Sequence, residues 1–329
     1  MDNTILKQLL TEYDSKRMHA LEELENRKKF LRESSPEYVK LEQDLHSASL
    51  SSLKSMLSSS EADKETNLKN LESKTSDIAK EKAKLLKKLN LPDDYLAPHF
   101  ECSLCSDTGY QGNSLCSCIK QKIYDIEYNK SNIGNIKFEN FDNFKFDIYS
   151  DEPNPAVFHS QSSPRENMKK IYAISKKFVT NFDSPEEKNL MFLGPTGLGK
   201  TFLSNCIAKE ILDSGKTVLY QTAPVMLDSI IKSKFEKNSS PILEHILNVD
   251  LLIIDDLGTE TMNSMKFTEL FTIINTRLLN QTAKITKTII STNMDLKDIF
   301  SVYNERIGSI IVGNYNICRF FGEDIRFLK

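Results

Sequence analysis

The chain has 329 residues, enough for two or more domains, and a formal net charge of only −3. That balance excludes a protein built mainly to coat double-stranded nucleic acid, whose footprint is a strong basic excess, while leaving room for a local basic groove. No apolar run approaches the ~18 residues of a membrane span, and Met1 to Leu10 lacks the apolar block of a signal peptide. A cytoplasmic protein with no membrane partner is expected.

Composition divides the chain into three expected domains. Residues 1–90 are rich in Lys, Glu, Ser and Leu, contain no Gly, and carry Pro36 as the one breaker. Apolar residues recur at helical spacing, as at Ile5, Leu6, Leu9, Leu10 and Tyr13, and Leu71, Ile78 and Leu85 fall a heptad apart. This predicts a helical, partly coiled-coil-like arm. Its use is association with a partner; solvated helices without a dedicated partner are the alternative. The serines between Ser47 and Ser60 predict a bend or loose connection.

Residues 91–130 hold Cys102-x2-Cys105-x10-Cys116-x-Cys118. Four thiolates within so short a stretch suit tetrahedral Zn2+. The Cys-x-Cys half is tighter than the usual knuckle, and an iron–sulfur cluster or metal-free thiols are the other readings. His99 is a possible replacement ligand. A closed site of this kind is structural, holding together a segment poor in apolar residues. Cys206 and Cys318 lie in apolar helix and strand patterns and read as buried core thiols.

From residue 131 to 329, strand and helix signals alternate. Candidate strands are Leu190–Leu193, Thr217–Gln221, Leu251–Asp255, Thr288–Thr292 and Tyr315–Phe320. The clearest helix runs from Ser264 to Leu279. Such alternation predicts an α/β domain with a five-stranded parallel sheet.

Between the first strand and a helical pattern from Phe202 to Leu212 lies Gly194-Pro195-Thr196-Gly197-Leu198-Gly199-Lys200-Thr201. This fits G-x-x-x-x-G-K-[ST], a loop that turns backbone N–H groups toward phosphates. Lys200 then reaches the β and γ phosphates, and the Thr201 hydroxyl holds Mg2+. The apolar run Leu251–Ile254 ends in Asp255 and Asp256. Ligands bind beyond the carboxyl ends of such strands. Asp255 suits the outer shell of Mg2+, and Asp256 suits the orientation and deprotonation of an attacking water. Asn293 ends a further strand and can hold that water or the γ-phosphate; a plain turn residue is the alternative. Arg306 and Arg326 can neutralise developing phosphate charge, one from a neighbouring subunit and one in cis, or be ordinary surface arginines.

These residues resemble a known family. The loop at 194–201, Ser204-Asn205-Cys206-Ile207-Ala208, Leu252 to Glu260, Ile290-Ser291-Thr292-Asn293 and Phe321-Gly322-Glu323-Asp324-Ile325-Arg326 resemble the bacterial helicase loaders, AAA+ ATPases of the DnaC/DnaI type. The likeness includes Cys102 to Tyr110 and the Phe138–Phe146 stretch. It implies a P-loop AAA+ core after a helical arm and a small zinc module, with 194–201 as Walker A and Asp255 with Asp256 as Walker B. It further implies Asn293 as sensor 1, Arg306 as arginine finger and Arg326 as a sensor-2-like residue. Because the chain stops three residues after Arg326, a core without the C-terminal lid of larger AAA+ proteins is expected.

Many AAA+ enzymes carry Glu where Asp256 stands, which implies slow, switch-like turnover. Relatives usually carry a second arginine where Ile310 stands, which implies weakened hydrolysis between subunits with ATP binding intact. The implied function is ATP-dependent loading of the replicative DNA helicase onto single-stranded DNA, with self-association through the ATPase domain. Lys232, Lys234 and Lys237 offer a DNA-facing path or a solvated face. The alternatives are a transposition-helper ATPase of the same group, a small-molecule kinase, and an ATP-binding assembly protein with little hydrolysis.

Overall fold

The structure, a computed structural model, describes residues 3–58, 61–127, 138–235, 242–279 and 284–327. Its contacts group into two units, one Lys7–Gly112 and the other Met1–Leu6 with Asn113–Lys329.

The first unit is built on α1 (Asn3–Ser34), α2 (Pro36–Ser58) and α3 (Glu61–Lys88). Pro36 separates the first two. It cannot extend the preceding helix, yet its fixed φ suits the first turn of the next. Helices α2 and α3 pack along each other. Leu31, Tyr38, Leu85 and Leu86 are buried together there, with Leu41, Leu91, Tyr95 and Leu96 around them. The connection expected within Ser47–Ser60 corresponds to the end of α2 at Ser58 and the start of α3 at Glu61. The earlier serines of that stretch lie inside α2 and fold back onto the preceding turn: Ser49 donates to the Leu45 carbonyl at 2.9 Å, and Ser51 to that of Ser47. Residues 59 and 60 lie outside the described residues.

The cysteine segment contributes a small hairpin of β1 (Tyr110–Gln111) and β2 (Ser114–Leu115), followed by α4 (Ser117–Glu127). The expected boundary at 130/131 falls outside the described residues.

The rest of the chain runs α5 (Pro155–Phe158), α6 (Pro164–Thr180), β3 (Asn189–Leu193), α7 (Lys200–Asp213), β4 (Val218–Thr222), α8 (Ala223–Phe235) and α9 (Ile242–Asn248). Then come β5 (Leu251–Leu257), α10 (Ser264–Leu279), β6 (Lys287–Thr292), α11 (Leu296–Asn314) and β7 (Tyr315–Arg319). Helix α6 starts at a capping box between Ser163 and Glu166, with Pro164 in its first turn.

The five strands form one parallel sheet of order β4-β5-β6-β3-β7, the α/β core expected of a P-loop AAA+ protein. Alternate residues of each strand feed opposite cores. Met191, Leu193, Leu219, Leu252, Ile254 and Ile290 meet α8 to α11 on one face. Leu190, Phe192, Val218, Tyr220, Leu251, Ile253 and Ile289 meet α6 and α7 on the other. Strands covered on both faces read as near-unbroken apolar runs, as β3 and β5 do, whereas edge strand β7 mixes buried and exposed residues. Cys206 and Cys318 are buried in the second core, and burial pushes both thiols up to about 12.

Candidate functional site

Leu193 of β3 sits level with Thr292 of β6, so Gly194 and Asn293 leave the sheet side by side at its carboxyl edge. The glycine loop then curls back to start α7. Gly199 caps that helix with φ 88° and no side-chain hydrogen bond, so the first-turn N–H groups have no side chain to answer them. An uncapped helix start behind a glycine loop is a ready anion cradle. Glycine is also sterically required: a Cβ on Gly194 would strike the Phe320 carbonyl oxygen, and one on Gly197 would strike the Asp324 carboxylate.

Lys200 is buried, with its ammonium donating to the carbonyls of Gly194 and Pro195 at 2.6 and 2.8 Å and to Asn293 Oδ1 at 2.8 Å. Burial lowers its pKa, against the pull of Asp256 and Asp255. Phosphate oxygens, being anionic, are stronger acceptors than the carbonyls it now holds.

Asp255 is buried at the end of β5, and three hydroxyls converge on it. Tyr220 of β4 donates to Oδ2 at 2.5 Å, Thr201 to the same oxygen at 3.4 Å, and Ser291 of β6 to Oδ1. The carboxylate is therefore held in one orientation beside the Thr201 hydroxyl. Burial and this carboxylate push the Tyr220 phenol well up, so it remains a donor. Asp256 differs. It lies where the β5–β6 register slips between Ile254 and Leu257, with φ 54° in left-handed backbone. The slip aims its side chain away from that of Asp255. Burial and then the nearby Asp255 raise its pKa, with Lys200 opposing. A carboxyl with a raised pKa is a better proton acceptor once ionised.

The remaining predicted residues lie farther out. Arg326 is exposed and paired with Asp324, Nε to Oδ1 at 2.9 Å and Nη2 to Oδ2 at 2.5 Å. The Asp324 that holds it is the group packed on Gly197, so Arg326 is tied to the loop through its partner. Arg306 is exposed on the second half of α11. Ile310 lies one turn later and packs onto the core below β5 and β6, a physical reason for an apolar residue there. Lys234 gives its ammonium to the buried Glu269 at 2.5 Å, which weakens its claim to a nucleic-acid path. Lys232 is exposed, and Lys237 lies outside the described residues.

Sequence reasoning missed Tyr220, Ser291 and Tyr149. The first two look like ordinary strand residues until the register sets them beside Asp255. The Tyr149 hydroxyl reaches the Leu198 carbonyl at 3.3 Å and closes on Gly199. Nothing in its spacing to the loop signals that approach.

In the cysteine segment, the ligand atoms of Cys102, Cys105, Cys116 and Cys118 all lie within 4.8 Å of one another. Four sulfurs so gathered fit a tetrahedral Zn2+. Asp107 steadies the knuckle, accepting from the N–H of Cys102 and of Glu101, both at 2.8 Å. His99 does not join this group: its ring contacts Arg27 and Asp94 instead.

The fold and loop together define a P-loop ATP-binding domain. Residues 167–307 match the family model described as IstB-like ATP binding protein, a little under half of the chain. Among curated relatives, one named as an ATP-binding protein of insertion sequence IS21 from Pseudomonas aeruginosa is 26% identical over 120 residues, covering 36% of this chain and 43% of the relative. Another, of insertion sequence IS232 from Bacillus thuringiensis subsp. berliner, is 26% identical over 137 residues, covering 40% and 53%. The chain thus spans about half the length of these relatives. A solved structure of the DnaC helicase loader superposes with a TM-score of 0.45 and 24% identity, over 57% of this chain and 99% of that one.

No helix among the described residues is long and apolar enough to cross a membrane.

Proposed function

We propose that this chain is an ATP-dependent loader that places a ring-shaped replicative helicase on single-stranded DNA, using ATP as a slow switch. The loop at 194–201 and Lys200 bind the phosphates. Thr201 and Asp255 would hold Mg2+, which supplies charge neutralisation when bound. Asp256 orients and deprotonates the attacking water, with Asn293 beside it. Arg326 acts in cis and Arg306 from a neighbouring copy. The four cysteines would hold a structural Zn2+.

One observation carries the loader reading over a bare ATPase. Ahead of the segment that matches the ATP-binding family, the chain carries a helical arm and a four-cysteine cluster, equipment for gripping a partner. Residues 1–90 and 91–130 are assigned that role, and 131–329 the ATPase.

A second reading, a transposition-helper ATPase, is favoured by the IstB-like match and the insertion-sequence relatives. The full chain as bait with ATP and Mg2+, offered a replicative helicase and an IS21-type transposase, separates the two. Capture of the helicase supports the loader, and capture of the transposase instead overturns it. ATPase rates with and without single-stranded DNA complete the test. No turnover in either condition, with ATP still bound, leaves an assembly protein that uses ATP only as a ligand.

A further inference from the structure

Glu260 and Tyr303 are two buried polar residues that nucleotide binding does not use. Glu260 follows β5 by three residues and is 8% exposed; Tyr303 is fully buried in the core beneath β5 and β6. The Tyr303 hydroxyl donates to Glu260 Oε1, and Glu260 Oε2 accepts from the Gly258 N–H at 3.0 Å. Burying a carboxylate is costly unless its oxygens are answered, and an apolar side chain would fill the space without that cost.

Each end of this contact leads to a residue of the proposed site. On one side, Gly258 is two residues from Asp256, and the Thr259 N–H returns to the Asp256 carbonyl at 3.2 Å. The Leu257 carbonyl accepts from the Thr292 hydroxyl at 2.5 Å, which itself accepts from the Met294 N–H at 3.1 Å, next to Asn293. On the other side, Tyr303 ends the first half of α11. The next residue, Asn304, breaks the helix with φ 61° and ψ 176°, a region almost reserved for glycine. The Asn304 side chain then accepts from the Arg306 N–H at 2.9 Å and starts the second half. The two halves pass so closely that a Cβ on Gly308 would lie 2.7 Å from the Phe300 ring. A strained residue held in place by packing is a common part of a switch.

We propose that Glu260 and Tyr303 form a latch that couples the Asp255–Asp256 strand end to the presentation of Arg306 through the break at Asn304. Both are positioning residues, and neither touches nucleotide. The latch rests on the nucleotide reading of 194–201, Asp255 and Asp256. A protomer with nucleotide in its own site would then hold Arg306 differently from an empty one, so a neighbour would sense its state.

The test uses the full chain, a fluorescent ATP analogue for affinity, and hydrogen exchange of peptides covering 303–314 with and without ATPγS and Mg2+. In wild type, nucleotide should change exchange in that helix by about twofold or more. Tyr303→Phe should bind nucleotide within about threefold of wild type, because the Tyr303 hydroxyl donates to Glu260 and not to the phosphate loop, and lose the helix response. Glu260→Gln carries the same test where Tyr303→Phe folds poorly. If hydrolysis is measurable, Tyr303→Phe should lower kcat in wild type but not in an Arg306→Ala background, which a merely structural role would not reproduce. A full response in folded Tyr303→Phe, or nucleotide binding with a silent helix in wild type, overturns the latch alone. Failure of wild type to bind nucleotide removes the nucleotide reading and the latch with it.

Discussion

Asp256 occupies left-handed backbone at the end of a buried strand, under a raised pKa, one residue from a carboxylate locked by three hydroxyls. Aspartate and asparagine both tolerate that conformation, so Asp256→Asn keeps the backbone and removes the base. Expected is a loss of about 10²-fold or more in kcat with ATP affinity kept, read by steady-state kinetics and nucleotide titration. Stability should move the other way. A folded-state pKa above the unfolded value gives stability that is present below the unfolded pKa and lost as pH rises through the folded one. At neutral pH the ionised Asp256 is therefore a burden, and Asp256→Asn should melt higher. That gain should close as pH falls toward the ordinary aspartate value of about 3.9. Lys200→Ala should weaken ATP binding by roughly 10-fold to 150-fold, the loss of a charge-assisted hydrogen bond worth about 1.5–3 kcal/mol.

At the scale of elements, the amino end of β6 in the middle of the sheet is fastened by one fully buried side chain. Arg277 of α10 donates to the carbonyls of Ile246 and Val249 at 2.7 and 2.9 Å, to Lys287 at 2.7 Å, and to the Thr288 hydroxyl at 3.0 Å. Burial pulls its pKa down to about 10, which leaves it charged at neutral pH. It joins α9, β6 and the turn into β5 through their backbone carbonyls. Arg277→Met should cost about 3 kcal/mol or more in urea unfolding, because several buried carbonyls are left unanswered at once. The cysteine cluster makes a different prediction. Protein prepared without chelator should carry about one zinc per chain, and Cys105→Ser should lose most of it by metal analysis. Metal-free folded wild type would remove the zinc assignment. At Ile310, packing on the core stands against the second arginine that the resemblance to helicase loaders implies for this position. Ile310→Arg should raise hydrolysis per folded chain while lowering the melting temperature. Unchanged ATPase at saturating protein would remove the idea that this position weakens hydrolysis between subunits.

For the whole molecule, the exposure of Arg306 bears on assembly. If it serves a neighbour's site, specific ATPase activity should rise with protein concentration, and Arg306→Ala should flatten that rise. A rate independent of concentration in wild type would return Arg306 to the ordinary surface. The helical unit and the ATP-binding unit each have their own buried cluster, as separate units of one chain require.

Local sequence was enough for the five strands, the loop at 194–201, the Asp255–Asp256 pair and the cysteine spacing. Each is written in residues adjacent along the chain: an apolar run, a glycine pattern, a fixed interval of thiols. The serine-rich stretch Ser47–Ser60 holds the end of α2, but its earlier serines lie inside that helix, where their hydroxyls satisfy the preceding turn. What only the tertiary structure decided is which distant side chains answer one another. Tyr220 and Ser291 reach Asp255 because parallel register sets three strands side by side. Glu260 finds Tyr303 across 43 residues, and Asp324, beyond the carboxyl end of β7, closes on Gly197 beyond that of neighbouring β3. Such pairings leave no periodic trace in the sequence, since they depend on how the strands are ordered in space.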